Sequence, residues 1–277
     1  MSKITKAIIP VAGWGTRRLP ITKAIEKCML PICNRPIVDY IVEDCIRAGV
    51  KDIYFVVSQG ATQIERYYSQ NESLEKYLID NGKDKYLPMI TPPNDVNFHF
   101  VVQEVQDGSL SAYGKVIEEF SINEPIICTS GDDVVYRSDG GSDLVDLIDS
   151  LEDGESGMLA GEIDPSEVSK YGVLTVYNGY LQGFVEKPTP ENAPSNLINL
   201  VKWVFMPDVV QAILADYKTR DCTPNQEHHY VDAMLKTIQK GHKLKVHAIK
   251  GEYLDGGSLE GWLHANEVVG RDLLKQR

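Results

Sequence analysis

The chain has 277 residues, 43% hydrophobic and 25% charged, a balance that suits a globular protein with a sizeable core. Its apolar runs fall far short of the roughly 18 residues of a membrane span, and residues 1 to 20 carry no secretory h-region, so a cytoplasmic protein with no membrane partner is expected. A net charge of -12 without any basic block argues against nucleic acid as a partner and leaves a polyanionic substrate to be held by metal and a few convergent cations.

The first predicted element is a buried strand over Ala7 to Val11, where Ile8, Ile9 and Val11 are β-branched. It feeds a loop, Ala12-Gly13-Trp14-Gly15-Thr16-Arg17-Arg18, followed by Lys23 and Lys27. Glycines let backbone N–H groups approach a triphosphate, Thr16 adds a hydroxyl, Arg17 can clamp two phosphate oxygens, and the lysines add point charges. A simple turn with solvated cations fits the same residues. A dinucleotide fold would place a third glycine where Arg18 stands.

Next, Ile37, Ile41, Val42, Cys45 and Ile46 form one helical stripe that Gly49 ends, and Asp52 to Val57 reads as a strand. Strand, helix and strand make a parallel unit with a right-handed crossover. A short helix over Thr62 to Tyr68 follows. Residues 69 to 97 read as a polar insertion at the edge of the nucleotide site, with a helix from Leu74 to Ile79. The strand Phe98 to Gln103 delivers Gln103, whose amide can pair with the imide edge of uracil or thymine or can be an ordinary surface group. A helix starts after Gly108.

Pro125 to Thr129 is a strand whose end carries Gly131-Asp132-Asp133. Ligands sit beyond the carboxyl ends of strands in open α/β sheets, so Asp132 is expected in the same crevice as the glycine loop, where a carboxylate suits Mg²⁺. Gly-Asp-Asp is also common turn chemistry. A helix near Leu144 to Leu151 and a strand from Met158 to Glu162 precede a hairpin turning at Asn178-Gly179, whose second strand ends in Glu186-Lys187. That pair is either an exposed ion pair of little value or a site in which Glu186 holds sugar hydroxyls and Lys187 a phosphate. A strand from Ile198 to Met206, helices over Val209 to Tyr217 and Val231 to Gln239, a strand from Leu244 to Ile249 and a helix from Leu259 to Leu274 complete the chain. His228 and His229 are adjacent, so they lack the i, i+4 spacing of a metal pair and suggest surface or packing roles. The cysteines Cys28, Cys33, Cys45, Cys128 and Cys222 contain no Cys-x-x-Cys and suggest reduced thiols.

The motifs Ala-Gly-x-Gly-Thr-Arg at 12–17, Leu-Pro-x-Thr-Lys at 19–23, Tyr171-Gly172-Val173 and Val185-Glu186-Lys187-Pro188 together resemble the sugar nucleotidyltransferases. The order Thr22-Lys23-Ala24-Ile25 is most similar to the bacterial UTP:glucose-1-phosphate uridylyltransferases within that family, and the matching stretches run from Lys6 to Ser258. The resemblance implies an α/β fold, Rossmann-like, with a mixed, mostly parallel sheet flanked by helices and a small sugar-binding β-ribbon region. It implies one nucleotidyltransferase domain over 1–277, with a nucleotide-binding part at about 1–135 and a sugar-binding part at about 155–260. Mg²⁺ is the implied cofactor and a homo-oligomer, dimer or tetramer, the implied assembly.

Residue by residue, the resemblance makes Arg17, Lys27, Asp132 and Lys187 catalytic, and Asp132 and Asp255 metal ligands. Ala12, Gly13, Gly15, Thr16, Gln103, Gly108, Gly172, Glu186 and Lys187 become substrate-binding. The implied reaction joins UTP to a hexose 1-phosphate, with glucose 1-phosphate first in line. Departures from the pattern keep other readings open. Glu26 replaces a Pro and stands beside Lys27, where it could raise the lysine's pKa or compete for it. Cys28 replaces a Glu, and Val201 stands where a Gly is usual and could narrow the sugar pocket. Asp107-Gly108 with Ala112 is similar to the thymidylyltransferases. A dTTP-dependent enzyme, one for another sugar 1-phosphate and a weakly active regulatory paralogue are the alternatives.

Overall fold

The computed structural model describes residues 3–221 and 227–275; Cys222 lies outside them. The strands are β1 (Lys6–Pro10), β2 (Pro31–Ile32), β3 (Arg35–Pro36), β4 (Asp52–Ser58), β5 (Asn97–Gln103), β6 (Ile126–Thr129), β7 (Asp133–Tyr136), β8 (Ser156–Glu162), β9 (Gly172–Tyr177), β10 (Tyr180–Glu186), β11 (Leu197–Phe205), β12 (Leu244–Ala248) and β13 (Glu252–Asp255). The helices are α1 (Ile37–Arg47), α2 (Gln63–Tyr67), α3 (Glu72–Asp80), α4 (Ser109–Glu119), α5 (Asp143–Ser150), α6 (Pro207–Thr219), α7 (Tyr230–Gln239) and α8 (Leu259–Lys275). No helix among these residues is long and apolar enough to cross a membrane.

A nine-stranded sheet runs in the order β5-β4-β1-β6-β11-β8-β12-β10-β9. β1 explains why its sequence is apolar throughout. Ala7 and Ile9 enter the core under α1, α5 and α8, whereas Ile8 enters the core under α4, α6 and α7. With both faces covered, each such isoleucine contributes about 1.5–3 kcal/mol from burial, and no polar alternation is tolerated. On α1 the expected stripe is buried except for Ile46, which is half-buried, and Gly49, at φ 93°, takes the left-handed conformation that ends the helix.

The sheet is mixed, and only its first part is parallel. β5, β4, β1 and β6 pair in parallel, as the strand-helix-strand pattern predicts. β11 then runs antiparallel to β6 and β8, β12 parallels β8, and β10 is antiparallel to β9 and β12. The expectation of a mostly parallel sheet is corrected there. The connection from β9 to β10 holds no crossover helix, and a direct return gives antiparallel neighbours. The hairpin turns at Asn178 and Gly179, with φ of 50° and 81°, as its sequence predicts. It forms the edge of the main sheet and touches β11 at Val173 and Ile198.

Two further differences matter. Residues 69–93 do not edge the nucleotide crevice; they close a separate cavity of about 540 Å³ over the outer face of α1, lined by Asp39, Val42, Tyr68 and Pro93 among others. The second is the two-stranded ribbon of β7 and β13, which pairs Asp133 with Asp255 and Val134 with Leu254. Its partners lie more than a hundred residues apart, and neither strand is long enough to announce itself in the sequence.

Candidate active site

The carboxyl ends of β1, β5 and β6 share one edge of the sheet because the three strands lie in parallel register with β1 or β4. That edge therefore carries the glycine loop, Gln103 and Asp132 together. Ala12, Gly13, Lys27, Gln103, Gly108 and Asp132 line a cavity of about 360 Å³, whose wall also includes Gln106, Cys28 and His229.

Gly15 adopts φ 64°, and a Cβ there would lie 3.0 Å from Thr22 Cγ2 and 3.1 Å from Lys27 Cβ. A glycine is thus required by conformation and by the approach of the lysine. The Thr22 hydroxyl donates to the Gly15 carbonyl at 2.9 Å, closing the turn. Thr16, Arg17 and Lys23 are exposed at its rim. Arg18, by contrast, is buried, donates to the Ser258 carbonyl and stacks 4.7 Å over the Trp262 ring, so it fastens the loop to α8.

Lys27 Nζ lies 2.6 Å from Asp132 Oδ2. Burial pulls the lysine pKa down, but the adjacent Asp132 and nearby Asp133 outweigh it and hold the value above normal. The ribbon of β7 and β13 brings Asp255 to the same place, and the Gly256 N–H donates to the Asp132 carbonyl at 2.9 Å. A Cβ on Gly257 would lie 2.9 Å from Asp132 Oδ2, 3.0 Å from Asp255 Oδ1 and 3.2 Å from Arg17 Nη2. The two carboxylate oxygens are therefore less than about 6 Å apart, with the guanidinium beside them. Two carboxylates converging on one point fit a divalent cation, which would complete its shell with phosphate and water.

Asp133 points away, into the protein. Its oxygens accept from the Ser130 hydroxyl and the Tyr253 hydroxyl, each at 2.6 Å. Burial, together with the neighbouring Asp132 charge, pushes its carboxyl well above the ordinary range despite those bonds. A second acidic group, Asp143, Asp146 and His247, has metal-like spacing. Its carboxylates are already matched, Asp143 by the Lys250 and Gly251 N–H groups and Asp146 by Arg137 and Lys250, so it reads as a latch between α5 and the β12–β13 turn.

Gln103 is buried, and its Nε2 faces two acceptors, the Gly108 carbonyl at 3.4 Å and Asp107 Oδ1 at 3.5 Å. Both neighbours demand the NH₂ end, which leaves Oε1 as the acceptor on this side chain. The loop below is held closely. Gly108 has φ 104°, and a Cβ there would fall 2.3 Å from the His228 carbonyl oxygen. The His228 N–H donates to Asp107 O and the Leu110 N–H to His228 O. His228 thus braces the loop through its backbone, and His229 lines the cavity. Gln106 is a contributor that nothing in its sequence context singles out: its Nε2 donates to the Ala12 carbonyl at 2.6 Å, tying this loop to the glycine loop.

The residues expected to bind the sugar stand apart from the cavity. Gly172 and Glu186 are paired across the hairpin, and a Cβ on Gly172 would collide with the Phe184 ring. Lys187 and Glu186 form an exposed pair at 3.3 Å, with side chains 62% and 60% accessible. Their link to the carboxylates is indirect: the Lys187 N–H donates to Tyr171 O, the Tyr171 ring meets Tyr253 edge-on at 6.2 Å, and Tyr253 holds Asp133. Val201 has φ 47° at an irregularity of β11, an unusual conformation for a β-branched residue, and its carbonyl accepts from the Ser130 N–H at 3.0 Å.

Glu26 does not compete for Lys27. Its carboxylate accepts from the Thr62 and Gln63 N–H groups, while Lys27 pairs with Asp132. Cys28 is buried, which pushes its thiol up to about 12 and keeps charge out of that wall.

A family model described as nucleotidyl transferase matches residues 6–271. A Methanocaldococcus jannaschii protein, provisionally named a UTP:glucose-1-phosphate uridylyltransferase, is 38% identical over 282 residues, covering 97% of this chain and 94% of that one. Among solved structures, a UTP-bound UGPase from Acinetobacter baumannii superposes with a TM-score of 0.81 at 27% identity, covering 96% of this chain and 93% of that one. A UDP-glucose pyrophosphorylase complexed with UDP-glucose gives a TM-score of 0.79 at 29% identity over 99% and 100% of the two chains.

Proposed function

The chain belongs to the nucleotidyl transferase family, and we propose on that basis that it transfers a uridylyl group from UTP to glucose 1-phosphate, giving UDP-glucose and pyrophosphate. The observation that carries this reading is the meeting of Arg17, Lys27, Asp132 and Asp255 at one point beside the cavity that Gln103 enters. Similar chains are named for this activity, and similar structures hold UTP and UDP-glucose.

In the reaction, a phosphate oxygen of glucose 1-phosphate attacks the α-phosphorus of UTP, the bond to the bridging oxygen breaks, and pyrophosphate leaves. Positioning and charge neutralisation supply the rate, since no covalent intermediate is needed. Loop N–H groups from Ala12 to Thr16 cradle the phosphates, Arg17 holds the departing pyrophosphate, and Lys27 neutralises charge at the α-phosphate. Asp132 and Asp255 would hold Mg²⁺, which would supply further neutralisation of phosphate charge. Gln103 Oε1 accepts the imide N3–H of uracil, a donor that cytosine lacks. Gly108 keeps that amide's partner in place. Lys187 places the attacking phosphate and Glu186 takes sugar hydroxyls, with Gly172 leaving room for the Phe184 ring behind them.

The same reading carries a cytoplasmic enzyme working as one domain, and a dimer or tetramer. β11 supports the single domain, because it joins the two halves of the sheet. Leu259 and Leu263 support the second: they share a face of α8 and are 51% and 56% exposed. A panel of UTP, dTTP, CTP and ATP against several hexose 1-phosphates, scored by pyrophosphate release, tests the assignment. UTP with glucose 1-phosphate should be fastest; nucleotide binding without turnover on any pair would refute it. Thymine shares the imide edge, so the dTTP arm measures how far the base is discriminated.

A further inference from the structure

Glu26 and Gln63 are joined by reciprocal hydrogen bonds. Glu26 Oε1 accepts the Thr62 and Gln63 N–H groups, each at 2.8 Å. Gln63 Oε1 accepts the Glu26 N–H at 2.9 Å, and its Nε2 donates to the Ala24 carbonyl at 2.9 Å. These bonds connect segments that are 36 to 39 residues apart in sequence.

The two sides of this latch differ in firmness. On one side β4 ends inside the sheet at Ser58, and Ile64 of α2 is fully buried. On the other, residues 24–26 lie between two 3-10 turns, Ile21–Lys23 and Lys27–Met29, outside the sheet. The Thr62 and Gln63 amides stand at the start of α2, where N–H groups lack acceptors within the helix and a carboxylate is favoured. Satisfying them carries the stability of the sheet across to the backbone of residue 26. Lys27 is the next residue.

We infer that Glu26, together with Gln63, is a positioning residue for nucleotidyl transfer: the latch fixes the backbone from which Lys27 reaches Asp132 and the α-phosphate. The inference rests on the role proposed above for Lys27. A lysine has a flexible four-carbon stem, so the placement of its ammonium depends on a steady Cα as well as on Asp132. Because Lys27 acts on charge that develops during transfer, loosening its backbone lowers kcat and leaves substrate affinity to the glycine loop and the hairpin.

Steady-state pyrophosphate release with UTP and glucose 1-phosphate tests this. Glu26→Ala and Gln63→Ala should each lower kcat between about 10- and 100-fold, with both KM values within about twofold of wild type. Glu26→Gln, whose amide oxygen still accepts, should keep most of the rate, and it carries the test if Glu26→Ala melts early. Adding Glu26→Ala to Lys27→Ala should cost nothing further, since the group being positioned is gone. Wild-type kcat in Glu26→Ala and Gln63→Ala, or a full additional loss on top of Lys27→Ala, would overturn the inference. Lys27→Ala alone separates the two levels: wild-type turnover there sinks the catalytic reading of Lys27, whereas a slow Lys27→Ala beside an unimpaired Glu26→Ala sinks only the latch.

Discussion

Gly108→Ala is the sharpest available perturbation of the loop proposed to read the base. The new Cβ would stand 2.3 Å from the His228 oxygen and 2.7 Å from its nitrogen, both well inside the 3.4–4 Å of ordinary contact, and both atoms are backbone. No rotamer change can relieve that. The collision arises because the His228 N–H bonds Asp107 O at 2.8 Å and the Leu110 N–H bonds His228 O at 3.0 Å. Withdrawal by the required distance breaks both bonds, at about 1 kcal/mol each. Holding alanine at φ 104° costs about 1–3 kcal/mol more if the loop does not move. A local penalty of about 3–5 kcal/mol favours opening of residues 104–109 over preserving the loop. Gln103 then loses the Gly108 carbonyl that orients its amide. We expect the Kd for UTP to rise at least about tenfold, as the loss of about 1.4 kcal/mol of that penalty from binding requires. The melting temperature should fall by less than the roughly 2–4 °C per kcal/mol of a global loss, because the surface loop yields first. Calorimetric titration with UTP, alongside a thermal melt, measures both. Wild-type UTP affinity in a stably folded Gly108→Ala would refute the reasoning.

Asp132→Asn should keep the fold, since the side chain is half-buried with Lys27 as its ion-pair partner, but lower metal-dependent turnover on the order of 100-fold or more. Wild-type pyrophosphate release across a Mg²⁺ titration would remove Asp132 from the mechanism. Lys187→Ala, at an exposed position, should leave the melting curve and UTP binding unchanged while raising KM for glucose 1-phosphate; selective loss of UTP binding would show the role is misassigned. Glu43 provides a pH test. Burial pushes its carboxyl up, but hydrogen bonds and charges from Arg35 and Arg47 outweigh that and hold it below its ordinary value. A depressed folded pKa means that the stabilisation is present above the unfolded value of about 4.3 and disappears as pH falls through the folded one. The gap in melting temperature between wild type and Glu43→Gln should therefore close in acid; a gap constant from pH 7 to pH 3 would contradict this sign.

Much of the site was legible because its signals are local. The β-branched run before Gly13, the stripe on α1 and the Asn178-Gly179 turn each follow from the sterics of neighbouring residues, which sequence spacing reports directly. Family resemblance added Asp255, whose own surroundings in the sequence say nothing about a metal. The bland reading of Gln103 as a surface group failed for a related reason: its side chain is buried against Asp107 and Gly108, in a loop that His228, far along the chain, holds by backbone hydrogen bonds.

Sequence alone therefore determined the order of the main-sheet strands and of the helices, the glycine loop and the residue types proposed to bind a nucleotide and sugar phosphate. Tertiary structure alone decided that β11 returns antiparallel, that residues 69–93 pack over α1, that Glu26 serves α2 and not Lys27, and that β7 and β13 draw Asp255 to Asp132. Turns and periodic faces are settled within a few residues by backbone sterics. Pairing between segments a hundred residues apart is settled by which surfaces can be buried together, and that is a property of the whole packed chain.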